Sequence, residues 1–534
     1  MTTDATTPTA EVGKNELRGV LAGVMLGMLV AALAQTIVAT ALPTIVGELG
    51  GQDQLSWVVS ATLLAATAST PLWGKLSDVY GRKKLFQLAL GVFVVGSALA
   101  GFSQDMVQLV AFRALQGLGV GGLMALSHAI IGDVVPPRER GRYQGLIGSA
   151  FGVATIGGPL LGGFLVDSAS WRWCFFISVP IGLLAMAVVQ RALHLRLERQ
   201  RHAIDWTGAT LLVAGTSALL LLASLGGKEF AWTSTIAVGL GVAAVLLLAA
   251  TVWQEHRAAE PILPPALLRI RTVALASAAS FFVGVAMFGA IIYLPLYLQI
   301  VKGESPTASG LLTLPLVAGL LTTSIISGRR ISATGRYRAW PIAGMVIASV
   351  GFALLSLVET DTSLVELGVY QAVVGAGIGM VMQVMVLITQ NAVPVRMLGV
   401  ATSSVTFFRS LGGAMGVAIL GAVLSNRLTV EIGERLRPLG PEAAAAAGGG
   451  GTLGTPDAIQ ALPGPVRDAV VEGFAASLHP VFLVAVPFSV IGLVLVLLLK
   501  EVPLRTTTSG DAAEPQVLDV PFEAAGVGAT APRP

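Results

Sequence analysis

The sequence predicts an all-α polytopic membrane protein with about fourteen spans, and three observations carry that reading. Of the 534 residues, 54% are hydrophobic and only 12% charged, with a mean hydropathy of +0.79, a balance outside that of soluble domains. Apolar stretches of about 20 residues, the length a helix needs to cross hydrocarbon, recur down the chain. A basic turn bounded by glycines, Gly74-Lys75-Leu76-Ser77-Asp78-Val79-Tyr80-Gly81-Arg82-Lys83-Lys84, returns as Gly328-Arg329-Arg330-Ile331-Ser332-Ala333-Thr334-Gly335-Arg336-Tyr337-Arg338. The repeat implies two related halves.

The expected spans are 18–43, 55–74, 85–103, 105–131, 141–166, 172–191, 205–225, 233–253, 272–300, 307–328, 339–358, 364–391, 399–425 and 479–499. An even number puts both termini on one side of the bilayer. The polar lead Met1–Glu16 enters its apolar stretch without a small-residue cleavage pattern, which reads as an uncleaved first span with a cytoplasmic N-terminus. Charge agrees with that direction. The connections then placed inside carry Lys75, Arg82, Lys83 and Lys84; Arg138, Arg140 and Arg142; Arg191, Arg196, Arg199 and Arg201; Arg257, Arg269 and Arg271; and Arg329, Arg330, Arg336 and Arg338. The outer ones carry Glu48, Asp53, Asp105, Asp167, Glu359, Asp361 and Glu366, as the positive-inside rule requires.

On this map each copy of the basic turn joins the second and third helices of a six-helix set. The expected organisation is a cytoplasmic N-terminus (1–17), an N-terminal six-helix bundle (18–203), a two-helix linking hairpin (204–256) and a C-terminal six-helix bundle (257–505). The second bundle carries an outer, Gly/Ala/Pro-rich insertion (427–478), expected to be partly helical near Val466–Leu478, and a disordered cytoplasmic tail follows (506–534). A formal net charge of only +3 argues against a nucleic-acid partner. Cys174, the single cysteine, excludes an intramolecular disulfide and a cysteine-rich metal site. No Walker loop, metal-ligand cluster or nucleophilic triad stands in the sequence, so the reading is of a non-enzyme without a metal or cofactor.

The motifs resemble those of the major facilitator superfamily, and more narrowly its fourteen-helix drug:proton antiporter group. Gly74, Asp78, Gly81 and Arg82 match the family's helix 2–3 signature, with Gly328, Gly335 and Arg336 in the second copy. Arg113-Ala114-Leu115-Gln116-Gly117 with Gly119 resembles the helix 4 signature; Gly152, Gly158, Pro159, Gly162 and Gly163 resemble the helix 5 antiporter signature. Thr36-Ile37-Val38 with Ala41-Leu42-Pro43 is similar to the helix 1 signature, and Trp171-Arg172-Trp173 fits the start of helix 6. The resemblance implies export of lipophilic or cationic drug-like compounds by alternating access, coupled to protons and giving antibiotic resistance. Its site is the plasma membrane; Arg exceeding Lys, with abundant Ala and Gly, points to a GC-rich bacterial source.

Asp78 and Arg82 read as a latch between helix ends, asymmetric because Ser332 replaces the acid in the second copy. The small residues from Gly152 to Gly163 let helix 5 approach a helix of the other half closely. Arg113 is the sharpest candidate, because a guanidinium inside a span marks a pathway or a buried network. At 1.5 Å per residue it lies about 12 Å below the outer end of its helix, near the depth of Ala34. Where the family pattern has an aspartate the chain has Ala34, which leaves Arg113 to amides such as Gln35 or Gln116, to carbonyls or to water. Gln383, Asn391 and Arg409 are expected to line the second half of the cavity. His128, with useful titration chemistry, is expected near an interface. Two other readings follow from Ala34: an uncoupled or differently coupled metabolite or lipid exporter, and a transport-incompetent membrane sensor.

Overall fold

Each expected span is helical in the computed structural model, two of them (172–191 and 307–328) in two pieces, and the described residues are 14–49, 55–193, 204–227, 229–394, 397–446, 459–460 and 462–504. The lead before residue 14, the connection 194–203, residues 447–458 of the insertion and the tail from 505 lie outside the described residues. Twelve described helices are long and apolar enough to cross a membrane. The remaining two expected spans are α2 (Leu55–Tyr80), polar in its last turns, and α14 (Ala339–Leu355), only 17 residues long. Among the described residues, β-pairing is confined to one isolated bridge, Gly226 to Phe230.

The first half contains α1 (Lys14–Leu49), α2, α3 (Arg82–Gly101), α4 (Met106–Val134), α5 (Pro137–Ser168) and a sixth span broken into α6 (Trp173–Phe176) and α7 (Ser178–Ala192). A hairpin of α8 (Trp206–Leu225) and α9 (Thr235–Glu255) follows, then the short α10 (Pro265–Arg269). The second half contains α11 (Arg271–Ile300), α12 (Pro306–Leu312), α13 (Leu314–Thr334), α14, α15 (Leu364–Asn391), α16 (Leu398–Leu436), α17 (Pro441–Ala446) and α18 (Gly464–Leu497). Gly81 (φ 96°) and Gly335 (φ 74°) take the backbone through the two basic turns in a conformation that a side chain would strain.

The halves repeat one packing scheme. An added Cβ at Gly117 or Gly121 of α4 would overlap the carbonyls of Thr62 and Ala66 on α2; at Gly375 or Gly379 of α15 it would overlap those of Leu316 and Leu320 on α13. Gly96 on α3 abuts the Gln116 nitrogen, and Gly351 on α14 abuts that of Val374. In that register Gln371 stands where Arg113 stands in the first half, and Asn391 where Asp133 stands. The helices meet backbone to backbone, as small residues permit in lipid.

Two features extend the sequence reading. Helix α16 continues past the expected end at 425 to Leu436, and α18 begins at Gly464 rather than 479. Ile432 and Leu436 of the one pack with Val466, Val470 and Phe474 of the other, so the described ends of the insertion are an apolar helix pair. The spacing of Val466, Val470 and Phe474 supplies that face. The hairpin touches both halves: Ala209 and Leu212 of α8 cluster with Ile262 and Phe407, against Leu72 and Phe408. Its partner α9 turns Val238, Val242, Val245 and Leu246 outward, an apolar surface suited to lipid.

Helix α1 is pinned to the start of α6, where Glu48 Oε2 accepts from Trp171 Nε1 at 2.7 Å and pairs with Arg172. The hydrogen bond from Arg172, then that from Trp171, holds the Glu48 carboxyl below its ordinary value of 4.5. A depressed acid stabilises above its unfolded value, and the contribution is lost as pH falls through the folded one. The pair is about half-exposed, so it is worth under about 1 kcal/mol. Thermal melts of the purified chain across pH 3–6 are expected to show a small acid-side loss that Glu48→Gln removes.

Gly412 of α16 meets the Phe281 carbonyl of α11 so closely that Gly412→Ala is expected to cost about 1–3 kcal/mol and lower the melting temperature. Gly433→Ala, on the same helix with nothing within 4 Å, is expected to be neutral or stabilising by under about 1 kcal/mol.

Candidate functional site

Between the halves, away from the basic turns, lies a cavity of about 790 Å³. Gln35, Thr36, Val59, Ser60, Thr62, Leu63, Arg113, Thr155 and Pro159 line it from the first half. Phe288, Ile291, Leu294, Gln299, Ser309, Thr313, Val417, Ser425 and Asn426 line it from the second, and the hairpin tip adds Ala223, Ser224 and Trp232. Arg113 is the one charged residue among the described residues of this lining, and none is acidic.

Arg113 is 1% exposed and held by dipoles. Its Nη1 donates to the Ala34 carbonyl at 3.0 Å and to Gln116 Oε1 at 2.7 Å, and its Nε donates to the Val58 carbonyl at 3.2 Å. Gln116 in turn donates to Ser97 Oγ at 2.7 Å. The Phe175 ring centroid lies 5.9 Å from the guanidinium. Arg113 and Ala34 therefore do meet, but Ala34 contributes only a backbone carbonyl. Gln35 borders the cavity and makes no hydrogen bond to Arg113 among the described residues.

At the basic end the halves are closed against each other. Arg82 Nη2 pairs with Asp78 Oδ1 at 2.5 Å and its Nε with Asp133 Oδ2 at 2.7 Å. Across the seam, Asp78 Oδ2 accepts from the Val400 nitrogen at 3.0 Å, in the first turn of α16, where a carboxylate complements the helix dipole. Gly74 packs on Ser403 and Gly399, without space for a Cβ. The second copy makes the related contact with weaker chemistry: Ser332 Oγ accepts from the Arg142 nitrogen of α5 at 3.2 Å, beside Gly328 on Gly141. Gly335 shapes that turn, and Arg336 is exposed.

Helix α5 lies along both halves. Gly158 abuts Thr36 of α1, whose Oγ1 donates to the Ala154 carbonyl at 2.9 Å. Gly152 abuts Leu321 and Val317 of α13, Pro159 faces Gly310, and Gly163 faces Thr307. The Gly162 carbonyl lies 3.9 Å from the Cys174 sulfur.

Residues 24–417 match the model of the Major Facilitator Superfamily. The chain belongs to this superfamily. It is a membrane transporter of that family and not an enzyme. An uncharacterized MFS-type transporter of Mycobacterium tuberculosis is 44% identical over 464 residues, covering 87% of this chain and 66% of that protein; the chain thus spans about two thirds of that relative's length. The multidrug transporter protein MdtP of Bacillus subtilis is 35% identical over 494 residues, covering 89% of this chain and 91% of its own. The crystal structure of the human organic anion transporter MFSD10 superposes with a TM-score of 0.60 at 16% identity, covering 90% of this chain and 99% of that one.

Several candidates in this superfamily member stand apart from the cavity. Asn391 is the last residue of α15, at the basic end, and donates to the Pro503 carbonyl at 3.2 Å. Gln383 is buried beside Gly148 and Ser324, with neither side-chain atom hydrogen-bonded among the described residues. Arg409 is 5% exposed, more than a turn before the cavity-lining part of α16. His128 corrects the interfacial expectation: it is fully buried, with Nδ1 2.8 Å from Gln144 Oε1, while its carbonyl accepts from Gln390 of the other half at 2.9 Å. Sequence reasoning did not single out Asp133, because its partner Arg82 lies 51 residues away. It also missed the hairpin tip, since an ordinary turn motif gives no sign that Trp232 borders a cavity.

Arg82 holds two nearly buried carboxylates, so its removal strands both. Arg82→Gln is expected to destabilise the closed basic end by about 3 kcal/mol. In a Cys174→Ser background, Ser403→Cys, opposite Gly74, would then react with maleimide at least tenfold faster in the Arg82→Gln variant. An unchanged rate would show that the ion pairs do not hold the seam.

Proposed function

We propose that the chain is a fourteen-span secondary transporter that exports lipophilic drug-like compounds across a bacterial plasma membrane by alternating access. The observation that carries this is a cavity built by both halves and closed at its basic end by contacts between those halves. A cavity shared by two bodies can change its open side when the bodies rock. The repeated packing supports a division into bundles 18–203 and 257–505, joined by the hairpin 204–256. The basic end is the cytoplasmic one, with both termini there. The multidrug name of the Bacillus subtilis relative supports the direction of transport and the breadth of substrates.

In this reading Arg113, Gln116, Gln35 and the Ala34 carbonyl form the central polar site, and Asp78, Arg82 and Ser332 the asymmetric gate. The helix α5 glycines are the close-packed seam. Gln383, Asn391 and Arg409 act from the closed side of the cavity. Proton coupling is what the family resemblance implies. A second reading, an exporter uncoupled from protons, is favoured by one observation: no described cavity residue is acidic.

Efflux of a lipophilic dye from vesicles under an imposed pH gradient, for the natural chain and for Ala34→Asp, tests both. Gradient-driven efflux by the natural chain supports proton coupling through another group. Efflux that ignores the gradient, and becomes gradient-dependent only with Ala34→Asp, supports the uncoupled exporter. Dye binding without movement in either protein would replace transport by the sensor reading.

A further inference from the structure

The charge pattern of the cavity bears on what it accepts. Arg113 brings a full positive charge to the lining, and among the described residues its partners are carbonyls, an amide and a ring rather than a carboxylate. A guanidinium keeps its charge when buried, and its planar fork of donors matches a carboxylate, sulfonate or phosphate head. Nε and Nη1 are engaged, but Nη2 donates to no described residue while the side chain borders the cavity. Around it stand apolar walls from three sources: Val59 and Leu63, Phe288 and Ile291, and Trp232 of the hairpin tip. A lipophilic cation entering this space meets a like charge in a medium that screens poorly and finds no acid among the described lining residues to offset it.

We propose that the cavity takes amphipathic anions, lipophilic bodies that carry a carboxylate, sulfonate or phosphate, and that the Arg113 guanidinium anchors the anionic head through Nη2. Trp232, pressed against Gly226 and Gly227, forms part of the wall for the apolar body. The site assignment stands on the cavity alone, whereas the direction of movement rests on the efflux reading above. Alanine at position 34 then has a physical consequence: a carboxylate there would neutralise the anchor. The energetics follow from the same charge. Export of a monoanion without a proton moves one negative charge outward per turnover, so a membrane potential negative inside drives it, at about fifty-fold accumulation per 100 mV.

The test uses the purified full chain with two probes sharing one body: 11-(dansylamino)undecanoate and its trimethylammonium counterpart. Dansyl fluorescence is expected to show the carboxylate binding at least tenfold more tightly. Arg113→Lys should keep most of that preference, whereas Arg113→Gln and Ala34→Asp should erase it. Arg113→Lys and Ala34→Asp serve as folded comparisons if Arg113→Gln is not monodisperse. In proteoliposomes, a potassium diffusion potential without a pH gradient should drive the carboxylate probe and leave the ammonium probe behind. Equal or tighter binding of the ammonium probe, or a carboxylate preference that survives both Ala34→Asp and the available Arg113 variants, would overturn the assignment. Arg113-dependent binding without movement under either gradient would leave the anion site in place and remove the efflux reading. Pumping of the ammonium probe without carboxylate preference would do the reverse.

Discussion

Close approach of helix backbones is the constraint on which the rest of this structure depends. In hydrocarbon an apolar side chain gains nothing by exchanging lipid for another apolar side chain, so helices cohere where atoms come near enough for dispersion and weak carbonyl contacts to add up. Glycines create those places. Gly117 and Gly121 set α4 on α2, Gly375 and Gly379 set α15 on α13, and Gly412 sets α16 on α11. The contacts between halves use the same means, with Gly74 on Ser403, Gly141 on Gly328 and Gly152 on Leu321. The seam therefore carries few long side chains that would have to repack if the halves moved.

On this symmetric frame the charges are not symmetric. Arg82 is enclosed by Asp78 and Asp133, and Asp78 also reaches the first turn of α16. At the corresponding positions the second half has Ser332 and Asn391. Its basic turn is fastened differently, by Glu501, whose Oε1 accepts from the Tyr337 nitrogen at 2.9 Å, and by Tyr337 Oη, which accepts from the Val502 nitrogen at 2.8 Å. One side of the closed end is thus a carboxylate that accepts from a backbone nitrogen across the seam, and the other a neutral hydroxyl that accepts from the Arg142 nitrogen and donates to the Glu139 carbonyl at 3.4 Å. The ionic side holds more electrostatic energy per atom and is the more sensitive to what happens to its acid.

Most of the fold was legible because lipid imposes simple rules: length, hydropathy and basic loops gave each helix its place. The Asp78/Ser332 difference was legible for the same reason, since the repeated turn supplied its own internal comparison. The arrangement around Arg113 was legible in kind, as carbonyls and an amide replacing an acid, but the choice of Gln116 over Gln35 was not. That choice turns on helix rotation: Gln116, three residues on in α4, shares the face of Arg113, whereas Gln35 points to the open cavity. Asn391 and Arg409 could not be separated from cavity residues, because polarity within a span gives burial but not depth along the seam. Helix near Val466–Leu478 was legible, whereas the continuation of α16 from 425 to Leu436 was hidden by the Gly/Ala/Pro composition that follows it.

Arg82 and Arg113, two of the buried guanidinia in the first half, are satisfied in opposite ways, and the difference bears on how a ligand could move the halves. Arg82 already has its carboxylates, so nothing further is gained there by binding. Arg113 has only dipoles, and those from Ala34, Val58 and Gln116 all belong to its own half. A ligand shifts an equilibrium between arrangements only by the difference in its affinity for them. A small ion resting on Arg113 alone touches one half and has no such difference to offer. A longer molecule that also lies against Phe288, Ile291 and Leu294 of α11 touches both, and its contacts change when the halves rotate. The requirement for a lipophilic body thus comes from the mechanics of the cavity as well as from its lining: the head supplies affinity, and the body reaching the second half supplies the coupling.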